Sequence, residues 1–329
     1  MSEPTADREQ LFAGQFDSWS PYPWHEQPLL RWFDAQRRDR LPHALLVKGP
    51  EHTGKRVLAR LLASYLLCES PADERSCGAC RACTMARAGT HPDWLELRPE
   101  QPGKVIRVDS IRRMQSRLHQ TAQFGGAKLC ILYPAEALNE NAANALLKIL
   151  EEPPEQTYFI LVSHRPQLLS ATIRSRCGQL ALSLPASESV RQWLAGEYAE
   201  DDIAQALALC RGYPEKVRDL LEQGGDPGAQ QQLVRELFDS QRSIIELAAD
   251  VEVLALPLLF DALIAAVRPG GQGGDAADPQ CIKRALGIGR QVEAARLALR
   301  NNANPRLLVE SLMCECRQIY REFQPSGVR

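Results

Sequence analysis

Nowhere in the 329 residues is there a run of about 18 apolar residues, so no membrane-spanning helix is expected. Charge of one sign is also missing. Lys and Arg total 39 against 41 Asp and Glu, giving a formal net charge of −2 at pH 7 and a pI of about 6.3. A stand-alone DNA binder usually carries a basic footprint, so any contact with nucleic acid is expected to be local or shared with partners. The N-terminus, Met1-Ser-Glu-Pro-Thr-Ala-Asp-Arg-Glu9, is polar and lacks the apolar core of a signal peptide. Of 10 cysteines, four are clustered and the rest scattered, which is not the framework of a secreted disulfide-rich domain. A reducing cytoplasm is the expected compartment. A hydrophobic content of 44% supports real cores, and the length allows two or three domains.

A further absence concerns chemistry. Leu41–Val47 reads as a strand entering Gly49-Pro-Glu-His-Thr-Gly-Lys55, the G-x-x-x-x-G-K phosphate loop, with a helix after it. In such a loop backbone N–H groups and the helix N-terminus cradle phosphate, and the lysine reaches the outer phosphates. Gly49, Gly54 and Lys55 are therefore candidate nucleotide-binding residues. The next residue should be Ser or Thr, whose hydroxyl holds magnesium; here it is Arg56. A guanidinium cannot ligate a cation and adds positive charge where the metal should sit. The frame is that of a P-loop, and the missing hydroxyl argues against ordinary ATP hydrolysis. Lys55 leaves weak nucleotide or anion binding open.

The helix after the loop presents Leu58, Leu61, Leu62, Tyr65 and Leu66 on one face and ends at Cys68. Cys68, Cys77, Cys80 and Cys83 follow as C-x8-C-x2-C-x2-C. Four thiolates at this spacing fit a tetrahedral structural zinc site, with no open position for catalysis. The alternative, four free thiols in a surface loop, is chemically costly. His91, in Gly89-Thr-His-Pro-Asp93, is the nearest competing ligand. It is expected to pack or hydrogen-bond, because the sulfur set is complete. Val105–Asp109 leads into a helix Ser110–Leu118, capped by Ser110 or Asp109. Arg107, Arg112, Arg113 and Arg117 line it, as a solvated face or as phosphate contacts to DNA held inside an assembly.

In Asn141–Pro154, Ala142, Ala145, Leu146, Ile149 and Leu150 recur at helical spacing. Pro153 and Pro154 end that helix and push Glu152 out of helical conformation. Tyr158–Val162 reads as a buried strand, and Ser175-Arg176-Cys177 comes next. Arg176 is open to two readings. It is a surface guanidinium or local ion pair, or it is an arginine finger that stabilises charge on a transferring phosphoryl group.

Asn144-Ala-Leu-Leu-Lys-Ile-Leu-Glu-Glu-Pro-Pro154 followed by Ser-Arg-Cys resembles the bacterial clamp-loader subunits of the AAA+ class. The order of P-loop, cysteine module and Gly-Thr-His-Pro-Asp agrees. The resemblance implies an α/β fold: a P-loop-type parallel sheet with an inserted zinc module (residues 1–184), a small helical lid (185–226) and an all-α collar for oligomerisation (227–329). In an active relative the strand Leu129–Tyr133 would end in Asp-Glu, to orient magnesium and the attacking water. Here the positions read Tyr133-Pro134, and Glu136 is expected to point elsewhere. Cys210-Arg-Gly-Tyr-Pro-Glu-Lys216 resembles the family's sensor turn, with Glu215 where an arginine belongs. With Arg56, these three departures narrow the resemblance to the delta-prime family rather than the motor subunits.

That resemblance implies a subunit without hydrolysis of its own. Arg176 would serve the ATP of a neighbouring motor subunit. Its partners would be the motor subunits, the delta subunit, the sliding clamp and primer–template DNA. Two other classes stand beside this one. ATP turnover by the isolated chain would favour the motor subunit itself. Tight, salt-sensitive DNA binding would favour a stand-alone zinc-containing nucleic-acid module. Residues 1–23 read as a loose lead-in, Gln223–Gly228 as a linker and Pro269–Asp275 as a flexible loop. The last hundred residues are expected to form helices at Gln230–Ala249, Leu254–Val267, Cys281–Asn301 and Pro305–Phe323. Cys314 and Cys316 are read as a surface and a core thiol, not a metal pair.

Overall fold

The computed structural model describes residues 20–72, 75–101, 103–124, 126–222, 227–239, 242–251, 256–267, 279–300 and 303–322. The expected loop 269–275, residues 223–226 of the expected linker and most of the expected lead-in lie outside these. The chain divides into two compact units, Met1–Pro185 and Ala186–Arg329.

The first unit begins with a 3-10 turn, Pro23–His25, and the helix α1, Glu26–Arg37. It continues with β1 (Ala44–Lys48), α2 (Lys55–Leu67), α3 (Arg81–Arg87), β2 (Trp94–Leu97), α4 (Val108–Leu118), β3 (Lys128–Leu132), α5 (Glu140–Glu151), β4 (Thr157–Ser163), α6 (Ala171–Arg176) and β5 (Gly178–Ala181). The strands form one parallel sheet in the order β2-β3-β4-β1-β5. β1 pairs with β4 from Ala44↔Phe159 to Lys48↔Ser163.

Side chains alternate across a strand, and both faces here are buried. Ala44, Leu46, Leu95, Leu97, Cys130, Leu132, Phe159 and Leu161 face one core, shared with α4, α5 and α6. Leu45, Val47, Trp94, Leu129, Ile131, Ile160 and Val162 face the other, shared with α1 and α2. Helices on both faces of a parallel sheet follow, because such strands cannot leave either face in water. On α5 four of the five residues expected on the apolar face are buried, Ala142, Leu146, Ile149 and Leu150 at no more than 2% exposure, while Ala145 is only partly buried at the edge of the core. Asn139 caps the helix by accepting from Ala142 N at 2.8 Å, and Glu152 leaves it at φ −127°.

The expected cap of α4 is corrected. The helix starts earlier, with Arg107 at the capping position and no side-chain cap, so Asp109 and Ser110 lie inside its first turn. Asp109 still favours that end electrostatically.

Among the described residues the second unit contains α7 (Ser187–Leu194), α8 (Glu200–Leu209), α9 (Pro214–Glu222), α10 (Pro227–Asp239), α11 (Ile244–Ala249), α12 (Leu256–Ala266), α13 (Pro279–Arg300) and α14 (Pro305–Glu322). Pro227, expected in the linker, opens α10. The single helix expected over Gln230–Ala249 is two. Ser243 starts the second with a capping box, accepting from Glu246 N at 3.2 Å while Glu246 Oε2 accepts from Ser243 N at 3.2 Å. The Ser-Ile-Ile-Glu spacing carried that signal inside an apolar run. Cys316 is buried and Cys314 exposed. Glu215 sits in the first turn of α9. The adjacent Lys216 reaches the buried Asp261 at 2.8 Å, which also takes Arg296 at 2.7 Å. Among the described residues no helix is long and apolar enough to cross a membrane.

Candidate functional site

The phosphate loop leaves β1 at the carboxyl edge of the sheet and ends at Gly54, the capping residue of α2. Gly54 has φ +80°, and a Cβ there would overlap the Tyr22 ring and His25 Nε2. A Cβ on Gly49 would overlap the carbonyl oxygen of Leu182. The loop's polar groups turn inward. Thr53 Oγ1 donates to Pro50 O at 2.9 Å, and Lys55 Nζ donates to the same carbonyl. Lys55 is 2% exposed.

Tyr22, Trp24 and His25 roof this loop, which corrects the reading of the lead-in as loose at its described end, residues 20–23. Trp24 Nε1 donates to Thr53 O at 2.9 Å, and His25 Nε2 lies 3.4 Å from the same oxygen. Tyr22 N donates to His25 Nδ1 at 3.3 Å. A ring that accepts at Nδ1 is neutral, and burial holds the His25 pKa down, at about 4.

Arg56, in the first turn of α2, does not point into the loop. Its Nη2 and Nε lie 2.6 and 2.7 Å from Glu96 Oε1. Arg60, one helical turn on, holds the same carboxylate through Nη2 at 3.0 Å and Nε at 3.3 Å. Glu96 is on β2 with its side chain only 1% exposed. The Arg56 guanidinium also lies 5.3 Å from the centre of the Tyr133 ring. Tyr133 in turn meets His164 edge-on at 5.3 Å. Arg56 and Tyr133 are thus one physical unit: the guanidinium at the magnesium position packs on the ring at the acidic position. Glu136 points elsewhere, as expected. Its Oε1 accepts from His164 N at 2.9 Å and Arg165 N at 3.1 Å.

At the other end of α2, Cys68 is the C-terminal capping residue. The Sγ atoms of Cys68, Cys77, Cys80 and Cys83 all lie within 4.8 Å of one another. Cys68–Cys80 and Cys77–Cys83 are 4.0 and 3.9 Å apart. Sulfurs at the corners of a tetrahedron with metal–sulfur bonds of about 2.3 Å would be about 3.8 Å apart, so the set fits a metal ion. Backbone N–H groups already point at the sulfurs: Cys77 N at Cys68 Sγ (3.2 Å), Cys80 N at Cys77 Sγ (3.3 Å) and Cys83 N at Cys80 Sγ (3.4 Å). Such donors favour thiolate. The backbone N–H groups of Ala79 and Cys80 bring the Cys77 thiol down to about 6, whereas burial pushes Cys83 up. This cluster can hold a metal ion.

His91 is not part of the cluster. It stacks on Phe124 at 5.0 Å and accepts from Asp93 N at 3.2 Å. Asp93 holds the Phe124 loop through Gln123 N at 2.9 Å and Phe124 N at 3.1 Å.

Arg176 is the last residue of α6, whose N-terminus Ser170 caps by accepting from Ile173 N at 3.2 Å. Its Nη1 donates to Thr172 O at 3.2 Å, and its Nη2 pairs with Glu151 Oε1. The local ion pair that the sequence left open is therefore present, with the Arg176 side chain 34% exposed.

The fold brings Gly49, Gly54, Lys55, Arg56 and Tyr133 together at the carboxyl edge of the sheet. It sets the cysteine cluster at the far end of α2, about 20 Å away along a helix of this length. Sequence reasoning missed Glu96, the roof and Glu151. Arg56 and Arg60 four residues apart signalled a common acceptor, but nothing in Trp94-Leu-Glu-Leu97 marked which residue it was.

The family described as DNA polymerase III, delta subunit, matches residues 24–185. A DNA polymerase III subunit delta' from Pseudomonas aeruginosa is 43% identical over 245 residues, covering 73% of this chain and 74% of that protein. The DNA polymerase III subunit delta' of Escherichia coli K12 is 39% identical over 195 residues, 59% of this chain and 58% of that protein, so the match spans under two thirds of that relative. A solved DNA polymerase III gamma subunit-related protein from Thermotoga maritima is similar with a TM-score of 0.50 at 20% identity, covering 88% of this chain and 99% of that one. At that identity the likeness speaks for the fold alone.

Proposed function

The chain belongs to the delta-prime family of DNA polymerase III subunits, and from that premise we propose that it is a non-hydrolysing subunit of the polymerase's clamp loader. In this reading the first unit is an AAA+ domain that has lost its own catalysis. The observation that carries it is Arg56, bound to Glu96 and packed on Tyr133 where an active relative would handle magnesium and the attacking water. Lys55 is engaged by the loop's own Pro50 carbonyl, which supports weak nucleotide binding in cis or none. Arg176 acts in trans, on ATP bound by a neighbouring motor subunit. A guanidinium suits that role because it is always charged, planar and able to give paired hydrogen bonds to phosphate oxygens.

The four cysteines hold structural zinc, which would cross-link the end of α2 to the segment before α3 and to the first turn of α3 itself. Residues 185–226 form a lid and 227–329 a collar that joins the ring. The exposed Leu286, Leu297 and Leu307 support a collar with apolar surface to cover. Partners are the motor and delta subunits, with the sliding clamp and primer–template DNA met inside the complex. The free thiols suit a cytoplasmic location.

Arginine fingers contribute roughly 10³–10⁵-fold to phosphoryl transfer, but a ring with several ATP sites dilutes the loss of one. Arg176→Ala is expected to leave folding and assembly intact while lowering DNA-dependent ATP hydrolysis and clamp loading by the reconstituted complex. Arg176→Lys is expected to fail as well, since a point charge lacks the fork. A complex with Arg176→Ala that assembles and loads clamps at the wild-type rate overturns the reading.

A further inference from the structure

We propose that Glu151 is a positioning residue for Arg176, an inference that rests on the trans role of Arg176 just given. Both residues end helices, and both helices are pinned to one core. α5 is held by Ile149 and Leu150, at 2% and 1% exposure, immediately before Glu151. The backbone at Arg176 is held by Ile173 and Cys177, at 0% and 6% exposure. Glu152, at φ −127° ahead of Pro153, stops α5 from running further, so Glu151 is its last helical residue.

The ion pair therefore joins two fixed points. The guanidinium is gripped from both: Nη2 by the Glu151 carboxylate and Nη1 by Thr172 O. A free arginine side chain loses rotamer entropy when it is ordered. Here that ordering is completed within the chain, before any phosphate arrives. Two engaged terminal nitrogens fix the plane of the group, yet each keeps a second N–H, and Nε keeps its own. The remaining donors can face a phosphate oxygen without giving up the carboxylate. Preorganised donors of this kind lower the barrier because they need no reorientation as charge develops.

The test uses the full clamp-loader complex, reconstituted with this chain as wild type or carrying Glu151→Ala, Glu151→Gln, Arg176→Ala or Glu151→Ala with Arg176→Ala. Rates of DNA-dependent ATP hydrolysis are measured across ATP concentrations. Glu151→Ala is expected to lower kcat about twofold or more with KM for ATP unchanged. Glu151→Gln, which keeps the acceptor oxygen, is expected to recover most of that loss. In the Arg176→Ala background, Glu151→Ala is expected to add nothing. Should Glu151→Ala fail to assemble, Glu151→Lys decides, at a side chain 48% exposed; it is expected to lose at least as much kcat. Wild-type kcat for the Glu151 variants beside a slow Arg176→Ala overturns the positioning role and leaves the finger standing. A faster Glu151→Ala overturns it too, because the carboxylate would then be a competitor of phosphate. Wild-type kcat for Arg176→Ala removes the finger and the positioning role with it.

Discussion

The helix α2 begins at a phosphate loop and ends at a metal-ligand set, and its two ends have kept different things. At the N-terminus the backbone is retained: Gly49 and Gly54 still sit where a Cβ would collide, and Lys55 is still in place. In the proposed reading the hydroxyl and carboxylates that would handle a cation are absent, and their positions are taken by Arg56, bound to Glu96, and by Tyr133. At the C-terminus the ligands themselves are retained, four sulfurs at near-tetrahedral spacing with N–H donors aimed at them. In the proposed reading, a phosphate loop without magnesium ligands can survive as scaffold because internal polar contacts, such as those of Thr53 and Lys55 to the Pro50 carbonyl, take the place of a ligand. A four-sulfur cage has no such substitute: thiolates held this close repel one another, and a cation between them would relieve that repulsion.

The contrast between the two ends breaks most visibly at the cage. Structural zinc sites supply roughly 10–16 kcal/mol of apparent binding energy in zinc-finger peptides. Removing the metal, or replacing Cys80 by Ser, is expected to unfold at least the segment from Cys68 to Arg87. Elemental analysis should find one zinc per chain, and hydrogen exchange should report the loss of protection.

At the other end the expected effect is smaller. Glu96→Ala removes the buried carboxylate that Arg56 and Arg60 both hold, and breaking a buried ionic group in this way costs about 3–5 kcal/mol. Denaturant titration checks it. Equal stability of Glu96→Ala and wild type would mean that Arg56 and Arg60 reach water instead.

The roof over the loop responds to pH. His25 titrates at 6.5 in the unfolded chain and about 4 in the folded one. A depressed histidine stabilises the fold fully above pH 6.5, and that stability is lost as pH falls towards 4. The difference corresponds to about 3 kcal/mol. His91 and His164 are lowered as well, first by burial, so they act in the same direction. Melting temperature is expected to fall steadily between pH 7 and 5, and His25→Phe is expected to flatten part of that slope without any change at the cysteine cage.

The smallest expected effect is on turnover. Arg56→Thr restores the hydroxyl that a P-loop normally carries, yet the isolated chain is expected to remain without ATPase activity. Tyr133-Pro134 still offers nothing to orient magnesium or water. Magnesium-dependent turnover by the pure chain, abolished by Lys55→Ala, would instead make this a motor subunit.

Much of the fold and of the candidate site is legible in the sequence because it depends on local spacing. The glycines and lysine of the loop, the four cysteines, the helix that stops at Pro153-Pro154 and the buried strand after it are all patterns within a few residues. The misses have local causes too. Ser110 and Asp109 are good capping residues, but the helix starts at Val108, with Arg107 as its capping residue, and carries them into its first turn. Ser243 with Glu246 is a capping box that an apolar stretch concealed.

The sequence by itself determined the presence of a phosphate loop, the missing hydroxyl at Arg56 and the metal-binding set, because each follows from residue type at short range, while the parallel sheet and the missing acidic pair were legible only through the family resemblance. Only the tertiary structure decided what became of the groups left over. It turned Arg56 away from the loop to Glu96, 40 positions on, and laid it over Tyr133. It folded Tyr22 and His25 onto Gly54, and it brought Glu151 to Arg176 across 25 positions. The physical reason is common to all three. Each side chain takes the partner that the tertiary fold brings within reach, buried as at Glu96 and His25 or half-exposed as at Arg176, and that partner is set by strand order and register, which no local pattern encodes.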